Sequence, residues 1–209
     1  MTLTPLIEKT TTIIDMIRHG EPQGGTRFRG YLDHPLSEAG FQQMRDAVAG
    51  YSNKSGDWDL ICSSPLKRCC EFAEELSFEQ NIPMQVVEQL KEISFGDWQG
   101  KTYAEVEQDT PGAVAKFFAD PVENPIPGSE NIYAFNSRVH KVFQEVVAAN
   151  PGGKILLVGH GAVIRSILNL MLDIPMNNIF RIEVPFASIT RVRVEQSESG
   201  FKGFLVKHG

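Results

Sequence analysis

The sequence predicts an α/β fold of three layers, α/β/α, with a mostly parallel central sheet. Short apolar segments alternate along most of the chain with segments whose apolar residues recur at helical spacing. One segment, Ile155–Val158, is apolar at every position, which is typical of a parallel strand buried on both faces. The 209 residues, 42% of them hydrophobic, suit one domain with a full core and exclude a disordered or low-complexity protein.

The first half of the chain contains three predicted strands and two predicted helices. The strands are Thr12–Ile17, Asp59–Cys62 and the weaker candidate Met84–Val87. One helix follows Pro35-Leu36-Ser37, with Phe41, Met44 and Val48 on its inner face. The second helix is predicted to begin with Ser64 as its N-cap and Pro65 as its first helical residue. Its inward side chains are Leu66, Cys69, Phe72, Ala73 and Leu76.

The second half continues the alternation. An amphipathic helix follows Pro127-Gly128, with apolar residues at Ile132, Phe135, Val139, Val142 and Val146. The doubly buried strand comes next, and the helix that starts at Ala162 is apolar on almost every side, which indicates a central position. The late strands are predicted at Arg181–Val184, Ile189–Val194 and Phe204–Val206.

The stretch from about residue 96 to residue 128 breaks this pattern. It contains Asp120-Pro121, Asn124-Pro125 and Pro127-Gly128, so we expect loops with at most one or two short helices. Long loops in compact domains usually serve function. We therefore interpret this stretch as a cap insertion near the site, within a single domain that spans residues 1–209.

Charge and targeting signals exclude several classes of protein. The net charge of −6 argues against nucleic acid or an anionic membrane as a partner. The sequence has no membrane-length apolar run, and Met1–Thr12 lacks the pattern of a signal peptide, which predicts a cytoplasmic protein. Three cysteines, two of them adjacent, predict reduced thiols and no metal site. No cofactor motif is present, and a homodimer is expected only because symmetric dimers are common.

Polar side chains follow three of the predicted strands. Arg18 and His19 follow the first strand, the segment from Ser63 to Arg68 follows the second, and Gly159-His160-Gly161 follows the doubly buried one. Ligands of open α/β sheets bind beyond the carboxyl ends of the strands, where helix N-termini also point. We therefore expect two histidines and two arginines to share one pocket.

Five motifs in this order resemble the histidine phosphatase superfamily, also called the phosphoglycerate mutase-like family, over about residues 12 to 195. The motifs are Arg18-His19-Gly20, the segment from Ser63 to Arg68, Leu90-Lys91-Glu92 with Gly96-Asp97-Trp98-Gln99-Gly100, Pro127-Gly128-Ser129-Glu130, and Gly159-His160-Gly161. The resemblance implies the phosphoglycerate mutase-like fold. It also implies a metal-independent phosphomonoesterase that forms a phosphohistidine intermediate on a small phosphorylated substrate.

The resemblance assigns a role to each matching residue. His19 corresponds to the nucleophile, Glu92 to the proton donor and His160 to the second catalytic histidine of the pocket. Arg18 and Arg68 correspond to the arginines that hold the phosphate, with His160 and Gly161 beside them. The chemistry agrees, because guanidinium groups bind phosphate oxygens bidentately and phosphoryl transfer depends on positioning and charge stabilisation.

Glu92 must be protonated in order to act as an acid. Action near pH 6 requires its pKa to rise by roughly two units from about 4.3. Burial against Phe95 or Trp98 and a bound phosphate dianion would both raise it. We therefore predict an acidic to near-neutral pH optimum, and a rate that is flat from pH 5 to 9 would contradict the role of Glu92.

The loop after His19 departs from the family pattern. The family often has a Trp-Asn pair there, whereas this chain has Gln23-Gly24-Gly25-Thr26 and is two residues shorter. We hypothesise that backbone amides at Gly24 and Gly25 approach the phosphate instead, and that Arg27 contacts the substrate. Among family members this loop looks most like that of proteins assigned as α-ribazole phosphatases, which implies α-ribazole 5′-phosphate, a precursor in cobalamin synthesis, as a substrate.

Two other functions stay open. A cofactor-dependent phosphoglycerate mutase is disfavoured, because mutases of the family carry a longer insertion than the short segment around Lys116-Phe117-Phe118. A non-catalytic module that binds a phosphorylated ligand is disfavoured because the nucleophile, the arginines and the acid are all present. Arg165, one turn into the helix after His160, is assigned a structural role.

Overall fold

A computed structural model describes residues 10–55, 58–197 and 200–209, without the side chains of 52–55 and 197. The N-terminal segment in which no signal peptide was predicted lies, up to residue 9, outside these residues. The strands are β1 (Thr10–Arg18), β2 (Leu60–Ser63), β3 (Met84–Val86), β4 (Lys154–Gly159), β5 (Ile189–Ser197) and β6 (Gly200–Lys207). The helices are α1 (Glu38–Ser55), α2 (Lys67–Gln80), α3 (Tyr103–Asp109), α4 (Ala113–Ala119), α5 (Ile132–Ala149) and α6 (Gly161–Leu172). Short 3-10 helices form at Glu88–Leu90, Gly96–Trp98 and Met176–Arg181.

The six strands form one sheet in the order β3-β2-β4-β1-β5-β6. The first four strands in that order are parallel, and β5 and β6 add an antiparallel hairpin beside β1. This arrangement confirms the mostly parallel sheet. It also places β4 between β2 and β1, so that the ends of all three strands lie at one edge.

Helices cover both faces of the sheet. Met44 of α1 and Phe72 of α2 belong to a buried cluster with Leu156 of β4. On the other face, residues of α5 and α6 such as Phe135 pack in a second cluster that contains Leu157. Successive residues of β4 therefore enter opposite cores, as its uninterrupted apolar sequence predicts. No helix in the described part of the chain is long and apolar enough to cross a membrane.

Residues 96–128 contain α3, α4 and one 3-10 helix joined by loops. A third apolar cluster holds this segment together and includes Trp98, Val106 and Phe117. Phe28, from the loop after β1, belongs to the same cluster and lies 4.9 Å from Trp98, measured between ring centroids. The segment therefore packs against the loop that follows His19.

Two predictions of local structure are wrong. Helix α2 begins at Lys67, after Leu66, and Ser64 does not cap it. The Ser64 hydroxyl instead bonds His160 at 2.7 Å, while the backbone N–H of Lys67 donates to Asp33 Oδ1 at 2.7 Å. The carboxylate of Asp33, which is distant in sequence, thus caps the helix in place of Ser64. The Ser64 hydroxyl contacts His160 instead.

The strand predicted at Arg181–Val184 is absent. The 3-10 helix ends at Arg181, and the segment after it has no regular structure up to β5. Its carbonyl groups bind side chains instead of a neighbouring strand: Ile182 O accepts from Arg165 and Val184 O accepts from Arg18. The apolar residues that suggested a strand reflect burial, since Val184 is 2% exposed.

Candidate active site

The ends of three neighbouring strands bring the predicted residues together. In the parallel register Arg18 of β1 lies opposite Gly159 of β4, and Ser63 of β2 lies opposite Val158. The residues that follow each strand therefore emerge at one edge of the sheet. These residues include His19, Ser64 and His160.

His19 is buried, and a backbone carbonyl group fixes its tautomer. It is 5% exposed, and its backbone N–H donates to Gly159 O at 2.9 Å. Its Nδ1 lies 2.7 Å from Gly20 O. Because a carbonyl oxygen only accepts, Nδ1 carries the hydrogen and Nε2 keeps its lone pair. The Nε2 atom is therefore the ring nitrogen whose lone pair is available to act as a nucleophile.

The turn after His19 requires glycine. A Cβ atom on Gly20 would lie 2.1 Å from the carbonyl oxygen of Gly40, and a Cβ on Gly40 would lie 2.1 Å from Glu21 O. The loop after β1 and the start of α1 thus pass backbone against backbone. This contact fixes the carbonyl that orients His19.

His160 lies behind His19 and is fully buried. The two ring centroids are 5.3 Å apart at a steep interplanar angle of 64°. The Nε2 atom of His160 is 2.7 Å from the Ser64 hydroxyl, and the Cys69 thiol lies against the ring at 3.6 Å from Nε2. Ser64, which follows β2, and Cys69 of α2 therefore hold this imidazole in position.

Burial lowers the pKa of both histidines well below the ordinary value. For His19 the charges of Arg68 and then Arg18 add to this effect. For His160 the charge of Arg68 follows burial in importance, and the neighbouring His19 comes next. Both imidazoles are therefore neutral near pH 7, which is the state that a nucleophilic nitrogen requires.

Arg18 and Arg68 lie beside His19, and Arg68 is buried while Arg18 is partly exposed. Arg18 Nη1 donates to Val184 O at 2.6 Å. Arg68, 1% exposed, donates from Nη1 to Leu32 O and from Nη2 to Gly30 O, both at 2.8 Å. The Nε atom of each arginine is buried without a hydrogen-bond partner. These donors suit a phosphate, whose oxygens accept several charge-assisted hydrogen bonds.

Glu92 follows the 3-10 helix Glu88–Leu90 and lines the same cavity, next to the first turn of α6. It is 9% exposed, and Oε1 accepts from the Ile93 backbone N–H at 3.0 Å. Oε2 accepts from the backbone N–H of Ala162, in the first turn of α6, at 3.3 Å. The two contacts hold its carboxyl group between Ile93 and the first turn of α6.

The cavity between these residues has a volume of about 150 Å³. Its lining carries five arginines and one acidic residue, so a small anion is the ligand that its charge favours. The charged residues are Arg18, Arg27, Arg29, Arg68, Arg165 and Glu92. An aromatic wall surrounds them, to which the 96–128 segment contributes Phe118 and Tyr103. The other aromatic residues are Phe28, Phe95, Phe180 and Phe186.

The cavity contains most of the predicted site residues. His19, Glu92, Arg18, Arg68, Gly161 and Arg27 line it, and His160 contacts His19 from behind. Gly24 and Gly25 do not line it. Their carbonyl groups accept hydrogen bonds from Arg27 and Arg29 respectively. A phosphate contact by their amides stays a prediction.

Sequence reasoning missed two arginines of the cavity. Arg29, in the loop after β1, is 6% exposed and lines the cavity. Arg165 also lines it, and a Cβ on Gly161 would lie 2.8 Å from Arg165 Nη1 and 3.5 Å from Arg18 Nε. Arg165 does have a structural contact, because its Nε donates to Ile182 O at 2.7 Å. The same hydrogen bond holds the guanidinium group beside the cavity. The available signal was the four-residue spacing of Gly161 and Arg165, which places both on one face of α6.

Comparison with known proteins identifies the class of protein. The family model described as histidine phosphatase superfamily (branch 1) matches residues 14–205. The chain therefore belongs to this superfamily and is a phosphatase with the phosphoglycerate mutase-like fold, which confirms the resemblance seen in its motifs.

Individual relatives bear the names of phosphatases. A Hydrogenobacter thermophilus protein provisionally named phosphoserine phosphatase 2 is 29% identical over 186 residues, which cover 88% of this chain and 90% of the relative. A Mycobacterium tuberculosis glucosyl-3-phosphoglycerate phosphatase is 32% identical over 173 residues, which cover 78% of this chain and 76% of the relative.

Solved structures give the same result for the fold. The native mycobacterial glucosyl-3-phosphoglycerate phosphatase superposes with a TM-score of 0.82 at 28% identity, over 93% of this chain and 97% of that one. An Escherichia coli structure provisionally described as an α-ribazole-5′-P phosphatase superposes with a TM-score of 0.76 at 20% identity, over 94% and 96% of the two chains. At that identity the second likeness shows the fold alone.

Proposed function

We propose that the protein is a phosphomonoesterase that transfers the phosphoryl group of a small metabolite to His19 and then to water. The observation that supports this proposal best is the state of His19, which is neutral with its Nε2 lone pair available. It lies in a cavity lined by arginines, three of which (Arg18, Arg29 and Arg68) have a buried Nε donor without a partner. A phosphate in the cavity would accept from those donors while His19 attacks the phosphorus atom in line with the leaving oxygen.

Each step uses groups of this chain. His19 Nε2 forms a bond to phosphorus as the ester P–O bond breaks, and Glu92 in its protonated form gives its proton to the leaving oxygen. The Glu92 carboxylate then takes a proton from water, whose oxygen bonds to phosphorus as the P–N bond of the phosphohistidine breaks. This step releases inorganic phosphate and returns the lone pair to His19 Nε2. Arg18 and Arg68 balance the charge on the phosphoryl oxygens in both steps.

Replacement of His19 tests the proposal. We expect His19→Ala to abolish phosphate release, because no other described side chain presents a neutral imidazole nitrogen in the cavity. The matched control is His208→Ala, since His208 is exposed and bonds Thr190 and the Glu183 carbonyl. Rapid quenching of the unaltered enzyme should trap a phosphoenzyme that is stable to alkali and labile to acid. Full activity of His19→Ala would contradict the mechanism, and it would equally contradict the mutase alternative.

Two classes of substrate are candidates. The sequence of the loop from Gly24 to Gly30 favours α-ribazole 5′-phosphate as the substrate. The aromatic wall of the cavity would accommodate the ring system of that compound. The second class is a phosphorylated hydroxy acid. It is favoured by Arg165, which lines the cavity and forms no ion pair within the described residues, and by the names of the two relatives. A carboxylate on the substrate would pair with this guanidinium.

A matched panel separates these substrates. The panel contains α-ribazole 5′-phosphate, 3-phosphoglycerate and glycerol 3-phosphate, and the last two differ only in the carboxylate. If Arg165 binds a carboxylate, kcat/KM is at least about 10-fold higher for 3-phosphoglycerate than for glycerol 3-phosphate, as one charge-assisted hydrogen bond provides. Equal values for that pair, with faster hydrolysis of α-ribazole 5′-phosphate, would support the first class. Interconversion of 3-phosphoglycerate and 2-phosphoglycerate with 2,3-bisphosphoglycerate present would indicate a mutase.

A further inference from the structure

Arg29 is a buried cation that the mechanism above does not use. It lies in the loop between β1 and α1, is 6% exposed and lines the cavity that contains His19. Its Nη2 atom donates to the carbonyl groups of Gln23, at 2.8 Å, and of Gly25. Its Nε atom is buried and has no hydrogen-bond partner in the structure. One end of the guanidinium therefore holds the loop, while the other end has an unused donor.

No acidic side chain within the described residues forms an ion pair with Arg29. By contrast, Arg45, Arg138, Arg191 and Arg193 each pair with a carboxylate. Burial and then the charge of Arg68 lower the pKa of Arg29 to about 10, so the side chain still carries its charge at neutral pH. A buried cation without a counter-ion is costly, and a ligand that brings negative charge removes that cost.

The charge of Arg29 also contributes to the lowered pKa of His19. The charges that act on His19 are those of Arg68, Arg18 and Arg29. Each of these three arginines lines the cavity and has a buried Nε without a partner. The transferring phosphoryl group spreads its charge over three equatorial oxygens. Three guanidinium groups around one small cavity match that distribution.

We propose that Arg29 is the third phosphate-binding arginine of the site and contacts an oxygen of the transferring phosphoryl group through its guanidinium. This inference rests on the proposed function, which supplies the phosphoryl group. The loop carbonyls of Gln23 and Gly25 position the guanidinium. Arg29 thus supplies positive charge from the short loop after His19, in addition to the charges that α2 and the end of β1 provide.

The first test measures binding of inorganic phosphate by titration calorimetry, which requires no turnover. The variants are Arg29→Met, Arg29→Lys and, as a matched control, Arg45→Met, whose arginine lies on α1 and pairs with Glu75 on the surface. We expect Arg29→Met to raise the Kd for phosphate about 10-fold or more, as the loss of a charge-assisted hydrogen bond would. Arg29→Lys should raise it less, and Arg45→Met should leave it unchanged. A Kd within twofold of the unaltered value in folded Arg29→Met overturns the proposal.

The second test separates phosphate contact from loop support. We expect Arg29→Met to lower kcat/KM by about 100-fold for both p-nitrophenyl phosphate and glycerol 3-phosphate, because a contact to the phosphoryl group does not depend on the leaving group. A loss of activity with unchanged phosphate affinity would show that Arg29 only supports the loop, and would overturn the proposal. If Arg29→Met does not fold, as judged by circular dichroism, Arg29→Lys serves in its place, and an unchanged Kd for that variant overturns the proposal. Retained activity in His19→Ala contradicts the proposed function instead, whatever the phosphate affinity of the Arg29 variants.

Discussion

Three features of its surroundings set the protonation state and the tautomer of His19. A carbonyl group fixes its tautomer, burial removes its proton, and nearby guanidinium charges oppose protonation. In the proposed mechanism the same charges attract the phosphate, so one set of residues would both bind the substrate and keep the nucleophile neutral. Both the neutral state of His19 and the attraction of phosphate therefore depend on the surrounding residues and not on the imidazole alone.

The lowered pKa of His19 predicts the pH dependence of stability. An unfolded chain binds a proton on His19 as the pH falls below about 6.5, whereas the folded protein binds it only at lower pH. The unfolded state therefore holds more protons in this range, and stability decreases as the pH falls. We expect urea unfolding to show a larger loss of stability between pH 7.5 and 5.5 in the unaltered protein than in His19→Gln. Equal losses in both proteins would contradict a lowered pKa.

Among the secondary-structure elements, α5 supports the site without entering it. Arg138 of α5 donates from Nη1 to Lys91 O at 3.0 Å and from Nη2 to Glu92 O at 3.1 Å. Its Nε pairs with Glu130 at 2.7 Å, and that carboxylate also accepts from Ser94 N–H at 3.4 Å. The helix thus holds the backbone on both sides of the proposed acid.

Replacement of Arg138 should therefore affect catalysis from a distance. We expect Arg138→Met to lower kcat about 10-fold, since a small displacement of a catalytic group is costly. The loss should be larger for glycerol 3-phosphate than for p-nitrophenyl phosphate, whose leaving group needs less protonation. Lys141→Met on the same helix is the control, because Lys141 is exposed and lies 4.0 Å from Glu145. A loss of equal size with both substrates would contradict positioning of Glu92.

The elements show where sequence reasoning works and where it fails. The apolar pattern of β4 identified a strand buried on both faces, because that pattern follows directly from burial. The segment at Arg181–Val184 has a similar apolar content, but its carbonyls bind Arg165 and Arg18. Ser64 and Pro65 form a good local helix start, yet Asp33 caps the helix and Ser64 bonds His160. Each wrong prediction involves a hydrogen-bond partner that is distant in sequence, which a local sequence pattern does not reveal.

For the molecule as a whole, the net charge is a poor guide to the ligand. The chain carries −6, but its cavity collects five arginines against one acidic residue. Charges over the rest of the surface are screened by salt beyond about 10 Å, whereas charges around a small cavity act on its contents directly. A net negative protein can therefore bind a phosphate ester.

A buried network of hydrogen bonds and one ion pair connects β1 to β5 and to Tyr51 and Trp58 outside the sheet. Asp15 of β1 is fully buried and accepts from Tyr51 Oη and Trp58 Nε1, both at 2.8 Å, and from Arg191 of β5. We expect Asp15→Asn to destabilise the protein by about 2–3 kcal/mol, below the value for a fully buried pair because Arg191 is 20% exposed. Chemical denaturation measures this change. The kcat of the folded variant should stay within about twofold, and a stability change below about 0.5 kcal/mol would contradict the role of the network.

The sequence by itself determined the fold class, the strand ends and the motif residues around His19, because these depend on apolar periodicity and on residues that are close in the chain. Only the tertiary structure decided that Arg29 and Arg165 join the cavity and that Gly24 and Gly25 do not line it. It also decided that His160 is held by Ser64. Side chains meet in a site through the register of neighbouring strands and the course of loops, and local sequence fixes neither of these.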